Sequence, residues 1–345
     1  MKKYSKQHLA AVYLFLFTAC TLLVSTVPGW AKVEPLQQIK LSAPPPGALR
    51  VVLLGTAVGP PVGLKQFGIS TLIEAGDKRL LFDCGRGSTI RLRQLGISIG
   101  SINKVFLTHL HSDHLIQLPD IFLAGWVMGR RHEPLKIWGP KGTSDMMNAL
   151  TQAFAFDIHI RRDVDERFPS EGIRVQSHDI QEGIIFNEDG VKVTAFLVDH
   201  RPVIPAFGYR VDYGDHSVVL SGDTRVSEHL ITFAKGTDVL IHEALPVQSQ
   251  KKRPEGEDRA AALHTTEVEK RIMAHHTTAE QAGEIFTRVK PGLAVFSHAP
   301  NTEGLLEQVS RTYNGPLQPP EDLTIITISE QIQVQDFTSL IATQE

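Results

Sequence analysis

One short segment of the chain concentrates residues that bind transition metals. Four potential ligands lie within six positions, directly after the apolar run Lys104–Leu107, which predicts a strand; they are His109, His111, Asp113 and His114. Alternate residues just past a strand end can point to one side, so the first two histidines can share an ion. The other two follow the turn and can face a second ion. Because imidazole with carboxylate suits zinc, the loop predicts a two-metal hydrolase.

One loop cannot complete two metal sites, so further ligands must come from elsewhere in the chain. His200, Asp223 and His298 each follow a predicted apolar strand. Taken singly, each could be an ordinary loop residue or a helix cap. Their shared placement at strand ends, where a rigid scaffold can present side chains, favours them as the missing ligands.

The elements around these residues predict a mixed α/β protein. Predicted strands alternate with helices, but several strand pairs are joined by tight turns, as at Ala75–Lys78. This pattern indicates mixed β-sheets covered by helices and argues against a purely parallel sheet. We expect a Pro-rich linker at residues 32–48 and one hydrolase domain at residues 49–345.

Composition favours a globular protein that is not a dedicated nucleic-acid binder. Of the 345 residues, 42% are hydrophobic and 21% charged, and the formal net charge is −3. A polyanion-binding domain usually carries a strongly basic balance.

Cys84 follows an apolar run and is interpreted as a small core residue, since without Cys20 it would have no partner for a disulfide.

The N-terminus predicts an export signal over residues 1–31. Lys2, Lys3 and Lys6 precede the apolar run Leu9–Val27, and small residues follow around Gly29–Ala31. The competing interpretation is an uncleaved membrane anchor, because the apolar run is long. After cleavage, the protein would not be stably inserted in a membrane and would lie in the periplasm or outside the cell. Loss of the three lysines would change the formal charge from −3 to −6.

Several motifs together resemble the metallo-β-lactamase superfamily, and within it the ribonuclease Z branch. The matching stretches cover most of residues 50–300 and are Leu54–Thr56, Phe82–Gly85, Thr108–His114, Gly139–Gly142, His200 with Ala206–Arg210, Ser221–Arg225, His242–Ala244, His276–Thr278 with Glu280–Ala282, and His298. The resemblance implies an αββα four-layer sandwich with the metals at one edge of its two sheets. It also implies that the chain can form a homodimer.

The same resemblance implies a role for each site residue. It implies two Zn²⁺ ions, with Mn²⁺ or Fe as alternatives: one held by His109, His111 and His200, the other by Asp113, His114 and His298, with Asp223 between them. Asp113 is also expected to orient the attacking water. His276, which is followed by the motif residues that His264 lacks, resembles the proton donor to the leaving oxygen, and Glu243 is expected to orient it.

Two departures from ribonuclease Z shape the prediction of substrate. Those enzymes carry a long tRNA-binding arm where this chain has only the turn Val211–His216. The export signal would also separate the protein from cytoplasmic precursor tRNA. We therefore predict an exported dinuclear zinc hydrolase that cleaves phosphate or sulfate esters, similar to arylsulfatases and phosphodiesterases. Its expected partner is a small anionic ester, and tRNA is not expected without the arm.

Three alternatives remain open from the sequence. One is a ribonuclease Z-type endonuclease acting at the 3′ end of tRNA, which the motifs match closely. Another is a lactone or β-lactam hydrolase, which the position of Asp223 and the His276 region disfavour. The third is a binding module on a retired enzyme scaffold, which missing ligands would support and which the full ligand set disfavours.

Overall fold

The computed structural model describes residues 37–60, 63, 65–247 and 266–342. Contacts divide the chain into Met1–Gln37 and Gln38–Glu345, and only the second unit is described below. The export signal predicted at residues 1–31 lies outside the described residues and stays a prediction. Among the residues that are described, no helix is long and apolar enough to cross a membrane.

The compact unit begins earlier than the predicted domain start at residue 49. Ile39 is buried, and its backbone N–H donates to the Gln94 carbonyl at 2.8 Å. The Leu41 N–H donates to Leu95 O at 3.0 Å, and the Arg50 guanidinium donates to Ser42 O. The end of the proline-rich stretch therefore packs on the domain, because its apolar side chains have a surface to cover.

Fifteen strands in the described residues form two mixed sheets. The strands are β1 (Leu49–Gly55), β2 (Ser70–Ala75), β3 (Lys78–Phe82), β4 (Lys104–Phe106), β5 (Leu135–Gly139), β6 (Val175–Asp179), β7 (Gly183–Glu188), β8 (Val191–Leu197), β9 (Phe207–Tyr213), β10 (His216–Leu220), β11 (Val239–His242), β12 (Leu293–Phe296), β13 (Leu317–Gln318), β14 (Ile325–Ile328) and β15 (Ile332–Gln335). The first sheet has the order β15-β14-β1-β2-β3-β4-β5-β6, and the second has the order β13-β12-β11-β10-β9-β8-β7.

Helices cover the outer faces of both sheets. The α-helices are α1 (Ser88–Gln94), α2 (Ser112–Leu115), α3 (Leu118–Val127), α4 (Thr143–Ala153), α5 (Ala155–His159), α6 (Glu228–Ala234), α7 (Thr266–Met273), α8 (Ala279–Val289), α9 (Glu303–Val309) and α10 (Phe337–Ala342). One apolar cluster packs α1, α3 and α4 on the first sheet, and another packs α6, α8 and α9 on the second.

The core between the two sheets is rich in aromatic side chains. Phe106 stacks between Phe82 and Trp138, with ring centroids 4.9 and 4.8 Å apart. Tyr209 from the second sheet reaches across, and its hydroxyl donates to Leu107 O at 2.6 Å. The helix–sheet–sheet–helix layering confirms the predicted αββα sandwich.

Strand direction gathers the candidate ligands at one edge of the sandwich. Strands β3, β4, β5 and β6 run parallel, as do β10, β11 and β12, and β8 shares the direction of β10 through the antiparallel β9. The loops that follow these strands therefore leave their sheets at a common edge. The Phe207 N–H donates to Thr108 O at 2.9 Å, which joins the two sheets at that edge.

Candidate metal centre

The first sheet presents one half of the site immediately after β4. His109 lies in the loop, and His111 is the N-cap residue of the single-turn helix α2, which carries Asp113 and His114. The turn changes the direction in which side chains leave the backbone, so the first two histidines and the last two ligands face different parts of the site. The second sheet supplies the remaining ligands from the loops after β8, β10 and β12.

Three histidines and one carboxylate form the first cluster of ligand atoms. His109 Nε2 lies 2.9 Å from His111 Nδ1, which lies 3.4 Å from His200 Nε2. Asp223 Oδ2 lies 3.8 Å from His109 Nε2 and 3.9 Å from His200 Nε2. The three nitrogens and the carboxylate oxygen thus face a common point that one cation can occupy.

A second cluster lies beside the first and contains Asp113, His114 and His298. Asp113 Oδ2 lies 3.7 Å from His114 Nε2 and 3.4 Å from His298 Nε2. Asp223 also faces this group, because its Oδ2 lies 3.4 Å from His114 Nε2 and its Oδ1 lies 3.3 Å from His298 Nδ1. All seven predicted metal ligands therefore converge, with Asp223 between the two clusters.

The donor atoms are arranged so that a divalent cation would satisfy them, whereas hydrogen bonds among themselves do not. His114 Nε2, Asp223 Oδ1 and His298 Nδ1 are buried without a hydrogen-bond partner. Buried polar atoms left unpaired cost about 1–3 kcal/mol each. A cation bound between the clusters would satisfy these atoms, and a set of imidazole and carboxylate ligands suits zinc and related divalent metals.

The electrostatics of the metal-free cluster agree with this fit. Burial lowers the pKa of His109 well below its usual value and lowers that of His200 to about 4. Both rings are therefore neutral, and each has one nitrogen lone pair that can bind a metal. Burial alone would raise the pKa of Asp223, but the adjoining His298 and His114 hold it well below the usual range. The carboxylate at the centre therefore stays charged.

His276 and Glu243 form a hydrogen-bonded pair at the wall of the site. His276 Nδ1 lies 2.8 Å from Glu243 Oε2 and 4.0 Å from Asp223 Oδ2. The other carboxylate oxygen of Glu243 accepts the Thr224 N–H at 2.5 Å, which fixes the carboxylate. Burial, reinforced by the charge of Asp223, raises the pKa of Glu243 well above its usual value, and burial lowers that of His276. The pair can therefore share one proton.

Comparison with known proteins agrees with this architecture. The family model of the β-lactamase superfamily domain matches residues 78–299, which is more than half of the chain. The chain belongs to the metallo-β-lactamase superfamily. Ribonuclease Z from Mycobacterium sp. (strain KMS) is 36% identical over 254 residues, covering 72% of this chain and 84% of that protein. Ribonuclease Z from Mycolicibacterium gilvum is 34% identical, with the same coverage. Within the superfamily, the chain belongs to the ribonuclease Z branch.

Solved structures share the fold at lower sequence identity. The metallo-β-lactamase fold protein YhfI from Bacillus subtilis aligns with a TM-score of 0.61 and 18% identity, covering 81% of this chain and 100% of that one. Human tRNase Z, short form, aligns with a TM-score of 0.57 and 20% identity, covering 81% and 98%. Site, family and fold together make this metallo-β-lactamase protein a metal-dependent hydrolase of phosphodiester or ester bonds.

The ribonuclease Z relatives contradict the function that we predicted first. An arylsulfatase-like hydrolase of small anionic esters is wrong as the main interpretation, and so is the prediction that tRNA is not a partner. The basis of that prediction was the missing arm, and the turn there is indeed short, since Tyr213 pairs with His216 in the β9–β10 hairpin. An arm extends the surface that holds a substrate, however, and its loss leaves the ligands unchanged.

Asp83 and His275 contact the ring nitrogens of two proposed ligands, and only His275 was expected from the sequence to have a supporting role. Asp83 Oδ2 lies 2.7 Å from His114 Nδ1, and the same carboxylate accepts the backbone N–H and the hydroxyl of Thr108, each at 2.9 Å. The His275 carbonyl lies 3.0 Å from His200 Nδ1. These contacts leave the opposite ring nitrogen of each histidine for a metal. The only signal for Asp83 was its place in the matching stretch Phe82–Gly85.

The remaining histidines divide into supporting and unrelated groups. His242 is fully buried, with its Nδ1 2.7 Å from Glu243 O, and packs on Phe286 of α8. His159 and His229 pair with Asp163 and Glu182, away from the metal clusters. His264 lies outside the described residues.

Proposed function

We propose that this protein is a ribonuclease Z-type endonuclease that hydrolyses a phosphodiester bond at the 3′ end of precursor tRNA. The observation that carries the proposal is the convergence of both ligand clusters on Asp223, next to the His276–Glu243 pair. A hydrolase for a phosphodiester must stabilise charge on the phosphoryl oxygens and protonate a leaving oxygen, and these two features meet both needs. The 36% identity to a ribonuclease Z supports RNA as the substrate.

We assign the metal ligands to two zinc ions. His109 Nε2, His111 Nδ1 and His200 Nε2 would hold one ion, and Asp113, His114 and His298 would hold the other, with Asp223 between them. Two bound divalent cations would supply Lewis acidity that lowers the pKa of the attacking water and offsets charge on the phosphoryl group. The predominance of imidazole among the ligands favours zinc over Mn²⁺, and Fe is the nearer alternative.

The chain's own residues supply positioning and proton transfer. Asp113 lies at the edge of the second cluster with about a tenth of its side chain exposed, so one carboxylate oxygen can orient the water through a hydrogen bond. As the water oxygen bonds to phosphorus and gives a proton to the Asp113 carboxylate, the bond from phosphorus to the leaving oxygen breaks. His276 is placed to give that oxygen a proton, and Glu243 holds the His276 ring through Nδ1 while the other ring nitrogen transfers the proton.

Cleavage of precursor tRNA by the zinc-loaded protein tests the proposal. We expect cleavage at the 3′ trailer that is lost on chelation and in His111→Ala. His132→Ala is the matched control, because His132 is exposed and outside both ligand clusters. Metal content, measured by elemental analysis, should be two zinc ions per chain in the wild type and fewer in His111→Ala. A protein that binds two zinc ions but leaves precursor tRNA intact would refute the proposal.

We retain export as a separate proposal about where the protein acts. It rests on the basic and apolar pattern of residues 1–31. Cell fractionation with an antibody to the folded domain tests it, together with the N-terminal sequence of the recovered protein. Recovery of the full-length chain in the cytoplasmic fraction would refute export and place the protein together with precursor tRNA. Recovery outside the cytoplasm would support export and mean that precursor tRNA, which is cytoplasmic, is not the natural substrate.

A further inference from the structure

Arg86 differs in its ion pairing from Lys78 and Arg79, the two basic residues at the start of β3. At the edge opposite the metal centre, Lys78 forms ion pairs with Asp77 and Asp189 at 2.5 and 2.6 Å, and Arg79 pairs with Glu74 at 2.9 Å. At the metal edge, Arg86 follows β3 and is exposed, and its guanidinium has no carboxylate partner among the described residues. An unpaired guanidinium is able to bind an anion.

The backbone of Arg86 is held firmly against the metal loop. Its carbonyl accepts the Gly68 N–H at 2.9 Å, and the next residue, Gly87, donates its N–H to Gln117 Oε1 at 2.9 Å. On the other side, the Cys84 N–H donates to the carbonyl of His114 at 2.6 Å. The position of the Arg86 Cα is therefore fixed relative to a metal ligand.

Arg86 is one of the residues that line a cleft beside the second ligand cluster. The same cleft is lined by Gly59, Pro60, Ser112, Asp113 and Ile116. Although Arg86 and Asp113 line the same space, they form no ion pair with each other in the part of the chain that the structure describes. Asp113 faces His298 at 3.4 Å instead. The guanidinium thus stays available to a ligand that enters next to the metals.

We propose that Arg86 binds a backbone phosphate of the RNA substrate, adjacent to the phosphodiester that is cleaved. This inference rests on the proposed function. The planar guanidinium matches two phosphate oxygens, and most contacts that position a nucleic acid go to its phosphates. The chain carries a formal net charge of −3, so attraction to RNA must come from cations placed at the site. A rigid backbone lowers the entropy lost when the contact forms.

The test compares Arg86→Ala and Arg86→Lys with the control Arg130→Ala in the zinc-loaded protein. Arg130 is also exposed without an ion-pair partner among the described residues, but it precedes β5 and so lies at the opposite edge of the sheet. Two substrates are used, a precursor tRNA and a chromogenic bis-aryl phosphate, which has one phosphate only. For each variant, kcat/KM is measured over a range of salt concentrations.

We expect Arg86→Ala to lower kcat/KM on precursor tRNA about tenfold relative to its effect on the bis-aryl phosphate, the size of one lost charge-assisted contact. The slope of log kcat/KM against log salt should become shallower by about 0.7–0.9, since one fewer phosphate is neutralised. Arg86→Lys should keep most of that slope, and Arg130→Ala should match the wild type.

Each of the remaining outcomes would refute either the phosphate contact or the proposed function. If the wild type cleaves precursor tRNA and Arg86→Ala behaves like Arg130→Ala, the phosphate contact is wrong and the proposed function stands. Equal losses on both substrates would also refute the contact, because they would indicate damage to the metal site. If the zinc-loaded wild type does not cleave precursor tRNA, the proposed function fails, and this inference fails with it.

Discussion

The carboxylate of Asp83 contacts His114, a proposed metal ligand, so changing it to an amide probes the second metal site without replacing a proposed ligand. In the folded protein, Asp83 Oδ2 accepts from Thr108 Oγ1 and from His114 Nδ1, while Oδ1 accepts the Thr108 N–H. A proton on His114 Nδ1 leaves the Nε2 lone pair for the metal. Asp83 has a φ of 56°, a region that asparagine tolerates, so Asp83→Asn preserves the backbone.

The amide can keep the bond to the Thr108 N–H only by presenting its NH₂ group to His114. An N–H donor at that position favours a lone pair on Nδ1, which moves the ring proton to Nε2 and opposes metal binding there. We expect affinity at the site of Asp113, His114 and His298 to fall about 10–100-fold, the usual effect of losing such a partner. This corresponds to about 1.4–2.8 kcal/mol. The site of His109, His111 and His200 should change much less.

Competition with a chromophoric chelator measures both affinities, and elemental analysis counts the ions retained. Asp322→Asn is a matched control, because Asp322 is also buried and accepts the N–H and hydroxyl of a threonine, Thr56, each at 2.9 Å. Asp322→Asn should lower the free energy of unfolding, because these buried contacts are weakened. Zinc affinity should stay within a few-fold of the wild type, because Asp322 contacts no proposed metal ligand among the described residues. Unchanged affinity for the second zinc ion in Asp83→Asn would refute the tautomer argument.

Four further outcomes follow from the structure. His276→Ala should lower kcat on precursor tRNA by about 10²–10⁴-fold but have less effect on a bis-aryl phosphate, whose leaving group needs no proton; equal losses would contradict proton donation. Phe106→Ala should destabilise the fold by about 3–5 kcal/mol in urea titrations, because the ring stacks between two others in the core. Burial lowers the pKa of His242 to about 4, so the metal-free protein should lose stability as the pH falls from about 6.5 towards 4, and His242→Phe should flatten that loss. Chelation should lower the melting temperature, since zinc at a hundredfold excess over its Kd adds about 2.7 kcal/mol per site; an identical melting temperature would argue against metal binding.

The sequence was sufficient to predict which side chains converge at the metal edge, because their signals are local. His109 to His114 form one continuous loop, and His200, Asp223 and His298 each follow an apolar strand that is recognisable by itself. Asp83, which contacts His114, gives no such signal. Asp83 acts on His114 across 31 positions in the sequence, and only the parallel pairing of β3 with β4 brings them together.

Elements without a clear periodicity were also missed. Helix α3 (Leu118–Val127) buries Leu118, Ile121, Phe122 and Trp126 and is apolar around most of its circumference, so it lacks the polar face that marks a surface helix. Strand β6 (Val175–Asp179) is at the edge of its sheet, half exposed and largely polar, so it lacks the apolar run of a buried strand. In both cases tertiary contacts decide the structure.

The division of the ligands between the two sheets explains why the missing arm misled the prediction of substrate. Four ligands follow β4 of the first sheet, and three follow β8, β10 and β12 of the second. The sheets are held together just beneath the site by the Phe207–Thr108 and Tyr209–Leu107 hydrogen bonds. The chemistry therefore depends on the packing of the sandwich, whereas the arm would extend from the β9–β10 hairpin at the opposite edge. Substrate-binding surface can be lost or moved to loops such as that of Arg86 without disturbing the metal ligands, so an absent arm is weak evidence for a change of reaction.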